Sequence, residues 1–529
     1  MKNKIHNNIH LFALCLLVLC ISVSEYVTSI SIWIMLTNWI FHFNYKEKWE
    51  LLKKNKTVFI FLLLFLTHVV WLLNTSNFSY ALNDLRIKIP LLAFPVIIGS
   101  TKPISFNNLV IVIKFFVLGL LISTVSGLFA YYKIISIDNI DNFRNISIYI
   151  SHIRLSLMLC LVIFILAYFI YKKILTKKYE IFISILILCW FIIFMLMIQA
   201  ITGFVILLLI SFGLIFIIVI KEKIIIRKLV YFSILVFIPL SILLYLLYFI
   251  NDFYTPTQTG QGESIYTAKN NLYSNNFENK LIENGNYIYR DICEEELYET
   301  WQTRSSICLD SLNNSNNKMF HVLLRYMASK GLKKDAEGIM QLADKDIRAI
   351  ESGATNYRFN NNSFINNINK RLYSIIWQID VYRKGGNPSG HSVTQRLEFL
   401  KAGLNIFGQN FWLGTGTGDL DDAYKKYYPE SNTELKPEFW HRAHNQYLTL
   451  FITFGIFGAI ICLIAIFLPV FMEKAIKNYY FMIFFAIALI SMLNEDTLET
   501  MIGVFFFSFF YSLFLWGYKN EKASEQITN

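Results

Sequence analysis

About twelve runs of roughly 20 mainly apolar residues decide what this chain can fold into, because each is long enough to cross a bilayer as a helix. A helix satisfies its backbone polar groups internally, as lipid requires. With 55% hydrophobic and 16% charged residues, the composition lies outside the range of soluble domains. We therefore predict an all-α polytopic membrane protein. The runs start near Leu11, Tyr26, Thr57, Ile89, Leu109, Ile153, Ile181, Thr202, Leu229, Asn445, Tyr479 and Glu499.

Basic residues in the short connections predict the orientation. The first run follows two lysines, as in a signal peptide, but it lacks a small-residue cleavage site, so we expect a retained first helix. If the N-terminus is cytoplasmic, five basic connections fall inside, in agreement with the positive-inside rule. The C-terminus, residues 519–529, is then a cytoplasmic tail. The clusters are Lys46, Lys48, Lys53, Lys54 and Lys56; Lys172, Lys173, Lys177 and Lys178; Lys221, Lys223, Arg227 and Lys228; Lys474 and Lys477; and Lys519 and Lys522.

The region from 251 to 443 interrupts the apolar runs and is predicted to be a separate external domain. At about 190 residues it is far longer than an ordinary connection, so it should have its own structure. Helical spacing from Met319 to Asp380 predicts a partly helical cap. The expected organisation is nine spans in 1–250, the loop domain in 251–443 and three spans in 444–518. The loop is near neutral, so the net charge of +11 lies in the connections and does not indicate nucleic-acid binding.

The cysteines give no indication of a metal site. Five of the seven lie in apolar runs, where a small buried hydrophobe is the expected role. Cys293 and Cys308 lie in the polar loop, and in an oxidising compartment they are able to form a disulfide or to remain free. Since there is no CxxC or His/Cys cluster, we expect no metal.

The densest group of polar residues with chemical potential runs from His391 to Gly458. It reads HSVTQRLEFLKAGLNIFGQNFWLGTGTGDL and, after a polar insert, HRAHNQYLTLFITFGIFG. Arg396 lies on a predicted helix ending near Gly408, and Gly414, Gly416 and Gly418 form a predicted turn just outside the membrane. Such glycines often only permit a tight backbone. No strand precedes them, which excludes a dinucleotide-binding motif.

His444 begins the tenth apolar run and places an imidazole at the external membrane boundary. Alone it suits an interfacial anchor, but nearby arginines change the balance, because their guanidinium forks match phosphate oxygens. A neutral histidine beside a diphosphate is able to take a proton from an attacking hydroxyl. The arginines that are able to gather at this boundary are Arg371, Arg383, Arg396 and Arg442.

Charged residues at three other external span ends form a second set of candidates, since charges are costly at membrane depth unless they are partnered. Each group is either a solvated loop end or part of one cavity. In a cavity the cations would bind phosphate and the carboxylates would bind sugar hydroxyls. The groups are Arg86 and Lys88, His152 and Arg154, and Glu495, Asp496 and Glu499.

The segment from Arg396 through the glycine turn to His444, Asn445, Tyr447, Leu448, Gly455 and Gly458 resembles the O-antigen ligase and polymerase superfamily. The span number, the external loop before the last three spans and the HNxYL helix start agree with it over nearly the whole chain. HIRLSLML from His152 and NEDTLET from Asn494 resemble its Bacteroidetes-type members. The resemblance implies a GT-C-like fold in the bacterial inner membrane, with the loop in the periplasm.

The resemblance also implies a reaction and roles for individual residues. Family members transfer a glycan from an undecaprenyl-diphosphate carrier to a sugar hydroxyl of lipid A core, without a cofactor. It makes His444 the candidate base and Arg396 a diphosphate contact. A second family arginine is missing, since the matching stretch at 200–203 reads AITG; either Arg154 or Arg86 replaces it, or the donor is held differently. The remaining predicted substrate contacts are Arg371, Arg442, Asn445, Gly414, Gly416, Glu495 and Asp496.

Other functions remain open at this point. A polymerase that joins lipid-linked repeat units would use the same donor with another acceptor, and a protein O-oligosaccharyltransferase would accept Ser or Thr. A transporter of lipid-linked sugars would more often show paired halves with broken helices, and no such pairing is evident. We therefore predict a metal-independent membrane glycosyltransferase whose partners are the lipid-linked donor, a lipid A core or other glycan acceptor and membrane lipids.

Overall fold

The structure is a computed structural model that describes residues 2–135, 143–255, 262–312, 318–360 and 364–518. The chain divides into two compact units. Unit 1 comprises Met1–Lys221, Phe399–Asn432 and Trp440–Asn529, and unit 2 comprises Glu222–Glu398 and Thr433–Phe439. The predicted cytoplasmic tail, 519–529, lies outside the described residues.

Unit 1 is helical. Polar residues cap several of its helices, and Ser24, Ser105 and Asn478 each accept a hydrogen bond from a backbone N–H of the first turn. The helices are α1 (Lys2–Cys20), α2 (Glu25–Phe41), α3 (Tyr45–Lys54), α4 (Thr57–Val70), α5 (Phe78–Lys88), α6 (Pro90–Gly99), α7 (Phe106–Tyr131), α8 (His152–Tyr171), α9 (Lys178–Met197), α10 (Ile201–Lys221), α18 (Leu420–Glu430), α19 (Gln446–Met472), α20 (Tyr479–Met492) and α21 (Met501–Ser512).

Unit 2 contains one long apolar helix and a small mixed domain. Its elements are α11 (Ile225–Tyr254), β1 (Ile282–Glu283), β2 (Asn286–Tyr287), α12 (Glu294–Arg304), α13 (Met319–Ser329), α14 (Ala336–Met340), α15 (Asp344–Glu351) and α16 (Phe364–Arg383). Helix α17 (Ser392–Gln409) starts in unit 2 and ends in unit 1. The predicted helices after Met319 and before Gly408 are thus confirmed. Cys293 and Cys308 are both free thiols.

Seven helices in the described ranges are long and apolar enough to cross a membrane. Each coincides with a predicted run, which confirms an all-α membrane protein. Other runs form shorter apolar helices, such as Tyr479–Met492 and Met501–Gly517, so the count of twelve spans and the external position of the loop stay predictions. The seven are Thr57–Asn74, Phe106–Tyr131, His152–Tyr171, Lys178–Met197, Ile201–Lys221, Ile225–Tyr254 and Gln446–Met472.

Aromatic side chains form the centre of unit 1. Tyr511 on α21 lies with its ring centroid 4.4 Å from that of Phe61 on α4 and 5.2 Å from that of Phe481 on α20. Its hydroxyl donates to the backbone carbonyl of Ile466 on α19. A buried tyrosine needs such a partner, because an unpaired hydroxyl in an apolar core is costly. This residue therefore joins four helices of the unit.

Helix α19 is broken at Gly455, whose φ of 62° and ψ of −169° are not helical. A break in a helix leaves backbone groups without their partners inside the helix, and they must find others when buried. The segment before and within the glycine turn provides them. The bonds run from Thr415 N–H to Ile452 O at 2.9 Å, from Gly416 N–H to Thr453 O at 2.9 Å and from Ile456 N–H to Phe411 O at 2.8 Å.

The glycines of the predicted turn are needed because backbone approaches them closely. Gly414 (φ 70°) has no room for a side chain, since an added Cβ would lie 2.4 Å from the nitrogen of Gly455. At Gly416 (φ 98°) an added Cβ would lie 2.2 Å from the carbonyl oxygen of Asn74. The turn is therefore present as predicted, and its backbone forms hydrogen bonds with the groups that are left unpaired at the break in α19.

Gly455→Ala should destabilise the protein. Alanine is strained at this combination of φ and ψ, which is essentially restricted to glycine, by about 1–3 kcal/mol, and its Cβ would lie 2.3 Å from the Trp412 carbonyl oxygen. We expect the melting temperature of the detergent-solubilised protein to fall by several degrees. Gly213→Ala, where an added Cβ meets nothing within 4 Å, is the matched control. Equal melting temperatures for the two variants would contradict this role of Gly455.

Candidate active site

His444 lies immediately before α19 with a left-handed backbone (φ 50°). Asn445 is the N-cap of that helix. Its side-chain oxygen accepts from Leu448 N–H at 3.0 Å, and its amide donates to the Leu493 carbonyl at 3.0 Å. A histidine in this conformation is uncommon and costs energy, so surrounding bonds must hold it. Asn445 thus holds the backbone at the start of α19 and so positions the neighbouring His444, whether or not it also contacts substrate.

The half-buried imidazole of His444 packs on an aromatic side chain from α17. Its ring centroid lies 5.8 Å from that of Phe399, which is buried, and 6.5 Å from that of His441. Phe399 also lies 5.8 Å from the exposed His441. The two histidines therefore share one aromatic support but differ in exposure.

A cluster of charged side chains lies in unit 1 beside the start of α19; we call it the Glu499 cluster, and its members Asp84, Lys88 and Glu499 are buried. Lys88 is its centre, with Nζ 2.5 Å from Asp84 Oδ1 and 2.9 Å from Glu499 Oε2. Only 2% of the Lys88 side chain and 7% of the Glu499 side chain are exposed. Buried charges persist only when paired and hydrogen-bonded. The cluster comprises Asp84, Lys88, Asp421, Arg442 and Glu499.

Arg442 connects this cluster to His444. Its Nε lies 3.2 Å from Asp421 Oδ1, and its Nη1 lies 3.6 Å from Glu499 Oε2. Gln446, in the first turn of α19, donates to Glu499 Oε1 at 3.1 Å and accepts from Leu498 N–H at 2.6 Å. Residues on both sides of His444 are therefore bound to Glu499.

The charges of the cluster stabilise each other. Burial alone would raise the pKa of Glu499, but Lys88 and Arg442 outweigh it and hold that pKa well below its usual range, at about 2. Burial would likewise lower the pKa of Arg442, yet Glu499 and other neighbours raise it above its ordinary value. Both groups are thus ionised over the physiological pH range.

A further carboxylate lies next to the cluster, on the loop before α21. Asp496 is buried and accepts from the Thr449 hydroxyl at 2.8 Å. Burial raises its pKa, and the nearby charge of Glu499 adds to the effect. A carboxyl group of this kind holds its proton to higher pH than usual. When protonated, it is able to donate a hydrogen bond to a hydroxyl as well as to accept one.

Arg154 lies at the start of α8 and shares a small cavity with Glu495. Its Nε is buried without a hydrogen-bond partner among the described residues. Helix α8 packs against the stretch in which the family arginine is missing, because an added Cβ on Gly203 would lie 2.7 Å from Ser156. In addition, Asn494 donates to Thr202 at 3.3 Å. Arg154, Glu495 and that stretch are therefore neighbours.

The other predicted contacts are distributed differently. Arg86 on α5 is exposed, whereas Lys88 two residues later is buried. Arg371 and Arg396 belong to unit 2, where Arg371 Nη2 donates to the Ser392 hydroxyl at 3.1 Å and Arg396 is half-buried on α17. Gly414 and Gly416 pack on backbone, as described above. Within the described residues no group of three or more histidine, cysteine or acidic side chains is arranged to bind a metal ion.

The sequence patterns did not indicate Asp84, and they indicated Lys88 and Glu499 only as charged residues at span ends, without pairing them. A signal for the first two was present, because Asp84 and Lys88 are four apart and so share one helix face, while Arg86 points elsewhere. Glu499 is 411 positions from Lys88, and no local pattern reports that pairing.

Comparison with known protein families gives a match in this part of the chain. Residues 357–463, which include His444 and the start of α19, match the family model described as O-Antigen ligase. The predicted resemblance is thereby confirmed, and an O-antigen ligase or polymerase type of function is supported. No match to this chain was found among curated proteins.

Removing the Lys88 charge should be costly, since it leaves the buried Asp84 without its cation and Glu499 with Arg442 alone. Breaking a buried ion pair from one side typically costs about 3–5 kcal/mol. We expect Lys88→Met to lower the unfolding midpoint of the purified protein strongly, while Arg86→Met, on the exposed side of the same helix, leaves it nearly unchanged. Thermal unfolding followed by circular dichroism would measure both, and a Lys88→Met midpoint near wild type would argue against an ionised cluster.

Proposed function

Starting from the O-antigen ligase domain at residues 357–463, we propose that this membrane protein is a glycosyltransferase. It transfers a glycan from an undecaprenyl-diphosphate carrier to a sugar hydroxyl of lipid A core at the periplasmic face of the bacterial inner membrane. Its own side chains perform the reaction without a cofactor. The main support is that His444 lies inside the matched segment and is held between Arg442 and Gln446, both bound to Glu499.

The proposed chemistry is a single displacement. The acceptor oxygen forms a bond to the anomeric carbon while the bond from that carbon to the diphosphate oxygen breaks. The hydroxyl proton goes to His444, and the diphosphate carrier leaves with the electron pair. A neutral imidazole suits a general base because its pKa is close to the working pH. One displacement inverts the anomeric configuration.

The charged groups would share the remaining tasks. Arg154 would bind the diphosphate, since a guanidinium group matches its oxygens in bidentate geometry. Arg154 is better placed than Arg86 to replace the missing family arginine, because it starts the helix that packs on Gly203. Glu495 and Asp496 would orient hydroxyls of the acceptor sugar. The Glu499 cluster holds the start of α19 in place and is a positioning group.

Reconstitution would test the reaction itself. The purified protein in liposomes is given an undecaprenyl-diphosphate-linked glycan together with lipid A core, and products are followed by gel shift and mass spectrometry. We expect glycan on the core and release of the diphosphate carrier. Extended glycan still on its carrier would instead indicate a repeat-unit polymerase. Absence of any product with several donors would contradict the enzyme and favour a transporter.

His444→Ala should reduce transfer by roughly a hundred- to ten-thousand-fold, the usual contribution of a general base. His441→Ala is the matched control, because His441 shares the Phe399 support but is exposed. Initial rates in the same liposomes, with membrane insertion checked separately, would measure both. If the two variants behave alike, His444 is an interfacial anchor and the base lies elsewhere.

A further inference from the structure

Unit 2 contains a cleft of its own, with a volume of about 210 Å³. It lies on α16 and is closed by the loop before α17 and by residues after α15. A cavity of this size is below the roughly 300 Å³ at which pockets for drug-sized ligands begin, so it suits a single ring. The side chains used below are Arg325, Lys370, Ser374, Trp377 and His391.

One wall of the cleft is aromatic and rigid. The Arg325 guanidinium lies 4.0 Å from the centre of the Trp377 ring, and its Nε donates to Glu283 Oε2 at 2.9 Å. The His391 ring stands nearly perpendicular to Trp377, with centroids 5.4 Å apart. Because Glu283 neutralises Arg325, and Lys370 is exposed at the edge, this wall does not form the cation cluster that a diphosphate would require.

The same wall has unused hydrogen-bonding capacity. Trp377 Nε1 and His391 Nδ1, on two of the side chains that line the cleft, are buried without a hydrogen-bond partner in the part of the chain that the structure describes. Buried polar atoms are nearly always paired, so two unpaired atoms in neighbouring side chains need an explanation. Burial, and then Arg325, lower the pKa of His391. Its ring is therefore neutral and is able both to donate and to accept.

We infer that this cleft binds one sugar residue of a glycan chain, at a site separate from His444. A sugar ring has an apolar face of C–H groups that packs on an aromatic wall, and its hydroxyls both donate and accept. A small adjustment of the Trp377 and His391 rings would let those hydroxyls pair the unused atoms. The ligand class rests on the proposed function, whereas the site rests on the cleft and its unpaired atoms.

Saturation-transfer NMR on the full chain in sugar-free phospholipid nanodiscs tests this inference. The probes are methyl glycosides of a hexose, a 6-deoxyhexose, an N-acetylhexosamine and a hexuronic acid. We expect at least one of them to receive saturation from the wild-type protein. That signal should be lost in Trp377→Leu, which removes the aromatic wall, and in Ser374→Phe, which fills the cleft. It should persist in Trp412→Leu, since Trp412 is a largely exposed tryptophan of unit 1.

The outcomes separate this site from the transfer reaction. If no glycoside receives saturation, or if the signal survives both cleft variants, the inference is wrong even when the protein transfers glycan. If binding is lost only in the cleft variants while reconstituted wild-type protein makes no product, the sugar site stands and the proposed function fails. His444→Ala should keep the binding signal, because its substitution leaves unit 2 unchanged.

Discussion

The break in α19 at Gly455 is the constraint on which the candidate site depends. The backbone groups freed there are paired by Thr415, Gly416 and Phe411, so the glycine turn is fixed against the helix. Directly after the turn, Asp419 accepts from the N–H groups of Ser76 at 2.7 Å and Asn77 at 2.9 Å. These residues precede α5, so the carboxylate sets where that helix begins.

From α5 the contacts lead back to α19. Lys88 at the end of the helix pairs with Glu499, and Glu499 accepts from Gln446 in the first turn of α19. The break and the start of one helix are thus joined through another helix and two loops. His444 lies at the start of α19, two residues before Gln446. These contacts limit the freedom of the residues on both sides of His444 before any substrate arrives, which is the requirement for a pre-organised site.

Sequence patterns predicted the features that depend on neighbours along the chain. Apolar runs identified all seven long helices, and helical spacing identified α13 and α17. The glycine turn was recognised as a turn. The break in α19, against which the turn packs, was not predicted. Nothing local shows that Gly455, inside a continuous apolar run, takes a non-helical conformation. Periodicity likewise describes α5 but says nothing of a glutamate beyond α20, since only folding brings Lys88 and Glu499 together.

Main-chain atoms pair the groups that are left free at the break in α19. Positions that contribute only a backbone group should therefore vary more in evolution than positions that leave no room for a side chain. Thr415 contributes its N–H, which every residue except proline has, so this hydrogen bond does not depend on the identity of the side chain. Gly414, Gly416 and Gly455 contribute the absence of a side chain and should drift little. In the segment after the turn, Asp421 pairs with Arg442 and should also drift little, whereas the exposed side chains of Lys426 and Glu430 are free to vary.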